Sequence, residues 1–333
     1  MLPRKLRSGD AIAVFSPSSP ATATAPTRYR RGRGYLEEKG LRFIEGERTG
    51  KRDFYRSGSI AERAQELNAL IRNPEVRCIM AAIGGMNSNS LLPYLDYEAL
   101  MRDPKIIVGY SDVTALLLGV YARTGLTTYY GPAVVASFGE LPPWVDWTWS
   151  AFADVAMGMA RPPHALPVPD QWTEEFIDWE TQSRAKRGVA NEMRTLHGGR
   201  VRGRLIGGNL NTMQGIWGTP YMPKIREGDV LLIEDSLKDA ADVERSFSLL
   251  KLSGVFERIG GLILGKHELF DDLGSGRRPW EILMEVMGNV DFPVLAQFDC
   301  CHTHPMLTLP IGCEVELDAD AQTLTLTQPF IGD

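Results

Sequence analysis

The chain has 333 residues, 44% hydrophobic and 23% charged, an ordinary balance for a folded protein with room for two domains. A formal net charge of -6 and a pI near 5.5 argue against a nucleic-acid backbone as partner, because such partners call for a basic face; a single nucleotide stays open. The basic start is followed by only five apolar residues, Ala11–Phe15, and no run of about 18 apolar residues occurs, so no signal-peptide core or membrane span is expected.

That pattern predicts a cytoplasmic protein without a membrane partner. Cys78, Cys300, Cys301 and Cys313 form no CxxC pair and no metal-like spacing, so reduced thiols are expected.

The first half alternates strand and helix patterns. Ala11–Phe15 is an apolar run ending in Ser-Pro-Ser-Ser-Pro, as for a buried strand feeding a loop. Residues 27–39 follow as a helix stopped by Gly40, and 41–44 as the next strand. Ser59 and Glu62 have capping-box spacing, and Ile60, Ala64, Leu67 and Ile71 share one helical face. Residues 77–83 predict a buried strand ending at Gly84-Gly85. Residues 106–108 predict another, running directly into Gly109-Tyr110-Ser111-Asp112. Val113, Leu116, Leu117, Val120 and Tyr121 mark the helix beyond, ended by Gly125.

Strands alternating with helices predict an α/β fold with a parallel sheet, whose strand ends send the loops 16–20, 84–90 and 109–112 to one edge, the edge where ligands bind. Residues 139–198 differ: they are proline-rich and hold five of the seven tryptophans. A helix near 147–159 and then a long functional loop are expected there. From Val201 a second unit begins, with strands at 201–206, 230–234, 262–264 and 294–297, a helix at 242–252 and a hairpin over 315–326. The expected division is 1–160, a linker or substrate loop 161–198, and 199–333.

A serine between a buried strand and an amphipathic helix is thrust out at the sheet edge. The free N–H groups of the helix start lie beside it and can stabilise an oxyanion. Ser111 has this context of a nucleophile elbow, although Val113 stands where the usual pattern has glycine. The same serine is also a plausible helix N-cap. The Gly84-Gly85 turn can supply a second donor, cradle a phosphate or simply turn tightly; no Gly-Lys-Ser/Thr follows, so it is not a Walker A loop. Of five histidines, His302 lies directly after a strand, where a general base is needed; His302 and His304 together have the spacing of a metal pair but lack a third ligand. Glu234 ends the apolar run Val230–Ile233. It suits an acid that orients a histidine, or a solvated strand end.

Several segments together resemble the LD-carboxypeptidase family of serine peptidases. They are the stretch Ile83-Gly84-Gly85-Met86-Asn87-Ser88-Asn89-Ser90, then Gly109-Tyr110-Ser111-Asp112, Gly207-Gly208-Asn209-Leu210, Leu232-Ile233-Glu234-Asp235 and His302-Thr303-His304-Pro305, in family order. The resemblance implies a triad of Ser111, Glu234 and His302, with an oxyanion hole from the backbone of Gly85 and Asp112. It also implies a flavodoxin-like N-terminal domain, a swivelling β/α C-terminal domain, a homodimer, and neither metal nor cofactor. Within the family, the chain is most similar to the branch that cleaves the amide joining an aminoacyl or peptidyl group to an adenylate-like nucleotide. There Asn87, Ser88, Asn209 and Lys238 are implied as substrate contacts, and Trp172 or Trp179 as a base-stacking residue; loop packing and a solvated lysine are the plainer alternatives. Two other functions stay open: release of the terminal D-alanine from murein tetrapeptides, and non-catalytic nucleotide binding. Cys301 and His304 depart from the family pattern, which prefers glycine and aspartate there.

Overall fold

The computed structural model describes residues 1–333. The first five strands are β1 (Ala11–Phe15), β2 (Arg42–Glu45), β3 (Val76–Ala81), β4 (Ile106–Gly109) and β5 (Thr128–Tyr130). They pair in the order β5-β4-β3-β1-β2, all parallel. β1 and β4 are buried at every position, which is why they read as unbroken apolar runs and not as alternation. Helices α1 (Ala21–Thr24), α2 (Pro26–Glu38), α3 (Ile60–Arg72), α4 (Tyr97–Arg102) and α5 (Thr114–Thr124) connect these strands, and α6 (Trp144–Ala156) follows β5. The capping box of α3 forms: Ser59 Oγ accepts from the Glu62 N–H and Glu62 Oε2 from the Ser59 N–H. Gly125 ends α5 at φ 69°, a left-handed cap that glycine adopts without strain.

Residues 161–198, expected as linker, carry four short strands: β6 (His164–Ala165), β7 (Gln171–Trp172), β8 (Val189–Ala190) and β9 (Arg194–His197). β7 and β8 pair antiparallel and close the flap 173–188 at its base. Beyond lie β10 (Arg200–Asn209), β11 (Val230–Glu234), β12 (Gly261–Gly265), β13 (Val294–Phe298), β14 (Leu309–Ile311), β15 (Glu314–Asp318) and β16 (Thr323–Leu326). Helices α7 (Leu210–Gln214), α8 (Ala240–Leu252) and α9 (Pro279–Met287) accompany them. The second sheet has the order β6-β16-β15-β10-β11-β12-β13-β9, with a parallel centre from β10 to β13.

One strand leaves this second unit. β14 crosses to the first sheet and pairs antiparallel with β5. The connection from β13 to β14, which carries His302 and His304, therefore spans from one sheet to the other. The ends of β3 and β4 in the first sheet and of β11 and β12 in the second converge on it, and one hydrophobic core runs through both units.

Candidate active site

β4 delivers Ser111. Tyr110 is extended, and Ser111 then turns to φ 60° before the chain enters a short turn and α5. A left-handed serine costs of order 1–3 kcal/mol and persists only where its surroundings enforce it. Here its N–H donates to Tyr130 Oη at 3.3 Å. The carboxylate of buried Asp112 accepts the N–H groups of Asn87 (3.1 Å) and Ser88 (2.9 Å), and Ser88 Oγ donates to the Asp112 carbonyl. Asn87 Oδ1 in turn accepts from Arg63 Nη1 at 2.8 Å. Asn87 and Ser88 thus brace the serine turn from behind and do not line the cavity.

The Gly84-Gly85 turn at the end of β3 presses on the serine. A Cβ on Gly84 would lie 2.9 Å from Ser111 Cβ, 3.1 Å from its Oγ and 3.0 Å from the Asp112 nitrogen. A Cβ on Gly85, at φ 146°, would lie 2.3 Å from Ser18 Oγ. Only glycine lets this backbone approach the serine so closely.

β11 delivers Glu234, fully buried, whose Oε2 lies 2.7 Å from His302 Nδ1. Tyr130 Oη donates to its Oε1 at 2.6 Å, and Asn209 Nδ2 does so at 3.0 Å. Burial alone would raise the Glu234 pKa, yet His302 and these donors hold it below the usual carboxylate range. Burial alone would lower His302; the Glu234 charge and hydrogen bond, helped by Glu268 and Asp235, reverse that and raise it. The Tyr110 ring stands edge-on to the imidazole with centroids 5.0 Å apart.

Ser111 and His302 open onto one cavity of about 440 Å³, a size suited to a small ligand. Gly84 and Gly85 line it beside them; Asn209, Asp235 and Lys238 come from the ends of β10 and β11, and Glu268 from the end of β12. The flap contributes Glu175, Phe176, Trp179 and Lys186. Trp179 reaches the cavity, with Arg28 Cζ 5.1 Å from its ring centroid. Trp172 does not: it sits at the flap base, under Lys266 Nζ at 5.3 Å. Asn209 is engaged on both sides, its Oδ1 capping α7 through the Thr212 N–H and its Nδ2 reaching Glu234 and Asp235. His302 and His304 face different carboxylates, Glu234 and Glu140. No group of three or more His, Cys, Asp or Glu residues is placed to hold a metal ion.

Sequence reasoning missed Tyr130, Glu268 and Lys186. Tyr130 ends the run Thr128-Tyr129-Tyr130, a β-branched and aromatic pattern that does signal a strand. Glu268 lies three residues past the end of β12, after Lys266 and His267, so it does not end an apolar run as Glu234 does. Lys186 lies within a flap without periodicity, and nothing in the sequence sets it apart.

The sequence matches the LD-carboxypeptidase N-terminal domain over residues 12–131 and the LD-carboxypeptidase C-terminal domain over residues 202–317. The chain belongs to the LD-carboxypeptidase family. A Vibrio cholerae protein provisionally named a carboxypeptidase is 57% identical over 98% of each chain. The microcin C7 self-immunity protein MccF of Escherichia coli is 51% identical over 99% of this chain and 97% of its own. The apo structure of MccF superimposes with a TM-score of 0.97 over the full length of both chains. Other MccF structures hold aspartyl sulfamoyl adenosine, glutamyl sulfamoyl guanosine or, in a tryptophan-to-phenylalanine variant, adenosine monophosphate. An active-site variant of MccF has a serine, an asparagine and a lysine replaced by alanine. A murein tetrapeptide carboxypeptidase of Pseudomonas aeruginosa is more distant, 27% identical over 74% of each chain. No helix of the protein is long and apolar enough to cross a membrane.

Proposed function

We propose that the protein is a serine amidase that hydrolyses the bond between an aminoacyl or peptidyl group and an adenylate-like nucleotide, as in inactivation of microcin C-type toxins. The observation that carries this reading is the 2.7 Å contact of His302 Nδ1 with buried Glu234, on the same cavity wall as a serine held at positive φ. With Nδ1 engaged by Glu234, His302 Nε2 is the nitrogen free to act on Ser111. It removes the Ser111 proton as Oγ attacks the acyl carbon. The oxyanion is received by the N–H groups of Gly85 and Asp112; a Cβ on the adjoining Gly84 would lie 3.1 Å from Ser111 Oγ and 3.0 Å from the Asp112 nitrogen. Collapse breaks the carbon–nitrogen bond, and His302 returns the proton to the leaving nitrogen. Water, deprotonated by the same imidazole, then releases the acid and restores the Ser111 hydroxyl.

The nucleotide preference is supported by the strength of the likeness to MccF and by residue types. Ser111, Asn209 and Lys238 are a serine, an asparagine and a lysine on one cavity, with Trp179 on the flap opposite. Release of D-alanine from murein tetrapeptides is the second reading, favoured by the murein-directed relative. Mass-spectrometric hydrolysis of aspartyl sulfamoyl adenosine beside a murein L,D-tetrapeptide separates them. Cleavage of the nucleotide substrate is expected, lost in Ser111→Ala. Cleavage of the tetrapeptide alone would replace the first reading by the second.

A further inference from the structure

The loop Ser16-Pro17-Ser18-Ser19-Pro20 packs against the Gly84-Gly85 turn, and one contact between them fixes how the turn presents itself. The Ser19 N–H donates to the Gly84 carbonyl at 3.1 Å. That carbonyl and the Gly85 N–H belong to one planar trans peptide unit, so they point in opposite directions. With the carbonyl held toward Ser19, the Gly85 N–H faces away from the loop. No acceptor in the protein meets it, and Gly85 lines the cavity. Glycines stand on both sides of this peptide unit, so its own side chains offer no resistance to rotation. Rotation would put a carbonyl oxygen where the N–H had been, an acceptor in place of a donor.

Arg63 holds both sides of that contact. It stands on α3 and is only 1% exposed. Its Nη1 donates to the Pro17 carbonyl in the first loop, and to Asn87 Oδ1 (2.8 Å) and the Asn87 carbonyl (3.4 Å) beyond the glycine turn. Its Nε donates to the Gly58 carbonyl at 3.0 Å, and its Nη2 to Ser90 Oγ at 3.4 Å. Ser18 Oγ closes the ring: it donates to Asn87 Oδ1 at 3.0 Å and accepts the N–H groups of Met86 (3.0 Å) and Asn87 (3.1 Å). Pro17 and Pro20 stiffen the first loop, so a grip on the Pro17 carbonyl is felt at Ser19 two residues on. None of the Arg63 acceptors is a carboxylate. Burying a guanidinium without a paired charge is costly, and such departures gather at functional sites.

We propose that Arg63 is a positioning residue for the oxyanion hole. It does not line the cavity; by joining Pro17 to Asn87 it keeps Ser19 on the Gly84 carbonyl and the Gly85 N–H turned off the loop and into the site. The inference rests on the hydrolase reading, with Gly85 as an oxyanion donor, and is independent of which acyl group or nucleotide is bound. The planar fork of arginine reaches Gly58, Pro17, Asn87 and Ser90 at once, whereas lysine presents its donors from a single atom. Without the guanidinium the Gly84–Gly85 peptide is free to turn, and loss of one oxyanion donor costs about a hundred- to a thousandfold in kcat.

The experiment compares the full chain with Arg63→Lys and Arg63→Met, using a fluorophosphonate as a probe that requires no choice of natural substrate. Ser111 Oγ attacks phosphorus, fluoride leaves, His302 takes the serine proton, and the phosphoryl oxygen occupies the oxyanion hole. The rate constant for labelling Ser111 should fall about tenfold in Arg63→Lys and about a hundredfold or more in Arg63→Met. On whichever of aspartyl sulfamoyl adenosine and the murein tetrapeptide the parent cleaves, kcat should fall alike while KM stays within about threefold. Asn87→Ala, alone and combined with Arg63→Met, tests the shared path: the double variant should label within about threefold of the slower single one, as for residues acting through one network. Thermal unfolding identifies the folded variants, and Arg63→Lys with Asn87→Ala carries the test if Arg63→Met is not among them. Labelling of a folded Arg63 variant at the parent rate overturns the inference and leaves the hydrolase reading standing. A KM that rises in step with the fall in kcat marks a merely structural role and overturns it too, as do losses that multiply in the double variant. A parent that is not labelled at all overturns the hydrolase reading and the inference together.

Discussion

Tyr130 Oη donates to Glu234 Oε1 at 2.6 Å and accepts the N–H of Ser111 at 3.3 Å. One phenol thus ties the turn that carries the serine to the acid that orients the histidine, across the boundary between the two sheets. Tyr130→Phe removes both contacts and leaves Glu234 Oε1 with Asn209 alone. Leaving a buried charged acceptor short of a donor costs about 1–3 kcal/mol. We expect a lower melting temperature and a kcat reduced about tenfold or more, with KM little changed. Denaturation and steady-state kinetics on one preparation check both.

Ser111 at φ 60° predicts that function and stability pull in opposite directions. Ser111→Ala and Ser111→Gly should both abolish turnover, by several orders of magnitude by analogy with other serine triads. Only the glycine variant relieves the left-handed strain, worth about 1 kcal/mol. Ser111→Gly should therefore melt at a higher temperature than Ser111→Ala, as scanning calorimetry would show. Equal melting temperatures would mean the turn is not strained.

In the proposed acyl transfer the His302–Glu234 pair should set the acid side of the pH profile. That mechanism needs a neutral His302, whose pKa is raised above the ordinary 6.5, so activity should fall through a midpoint above that value as pH drops. Glu234→Gln should move the midpoint down and lower kcat. The stability effect has the opposite sign. A raised histidine pKa stabilises the folded state fully below the unfolded value of about 6.5, and the gain is lost as pH rises through the folded value. Glu234, whose pKa is depressed, contributes above the unfolded value of about 4.5 and loses its contribution as pH falls through the folded one. Denaturant titrations of wild type and Glu234→Gln at pH 5 and 8 would show the difference.

Trp179 and Trp172 should separate cleanly. Trp179 lines the cavity, and stacking one base is worth about 1–3 kcal/mol, so Trp179→Ala should raise KM for a nucleotide substrate about five- to a hundredfold. Trp172 covers Lys266 at the flap base, so Trp172→Ala should lower the melting temperature more than it changes KM. The reverse pattern would move the base to the flap hinge.

The sequence by itself determined the local frames: β4 running into Ser111 and α5, the capping box of α3, and the acid that ends β11. These are legible because each depends on neighbours within a few residues, where periodicity, caps and turns are written. It also carried enough ordered motifs to reveal the family. Tertiary structure alone decided what meets. Glu234 and His302 are 68 residues apart in the chain, and only the crossing from β13 to β14 between two sheets brings His302 to Glu234 and onto the cavity of Ser111. Which tryptophan faces the cavity, why Asn87 and Ser88 brace a turn from behind, and how Lys186 comes to share Glu140 with Arg28 are likewise long-range packing outcomes. Their physical cause is burial against residues far along the chain, from 24 positions between Ser88 and Asp112 to 112 between Arg28 and Glu140, which local patterns do not encode.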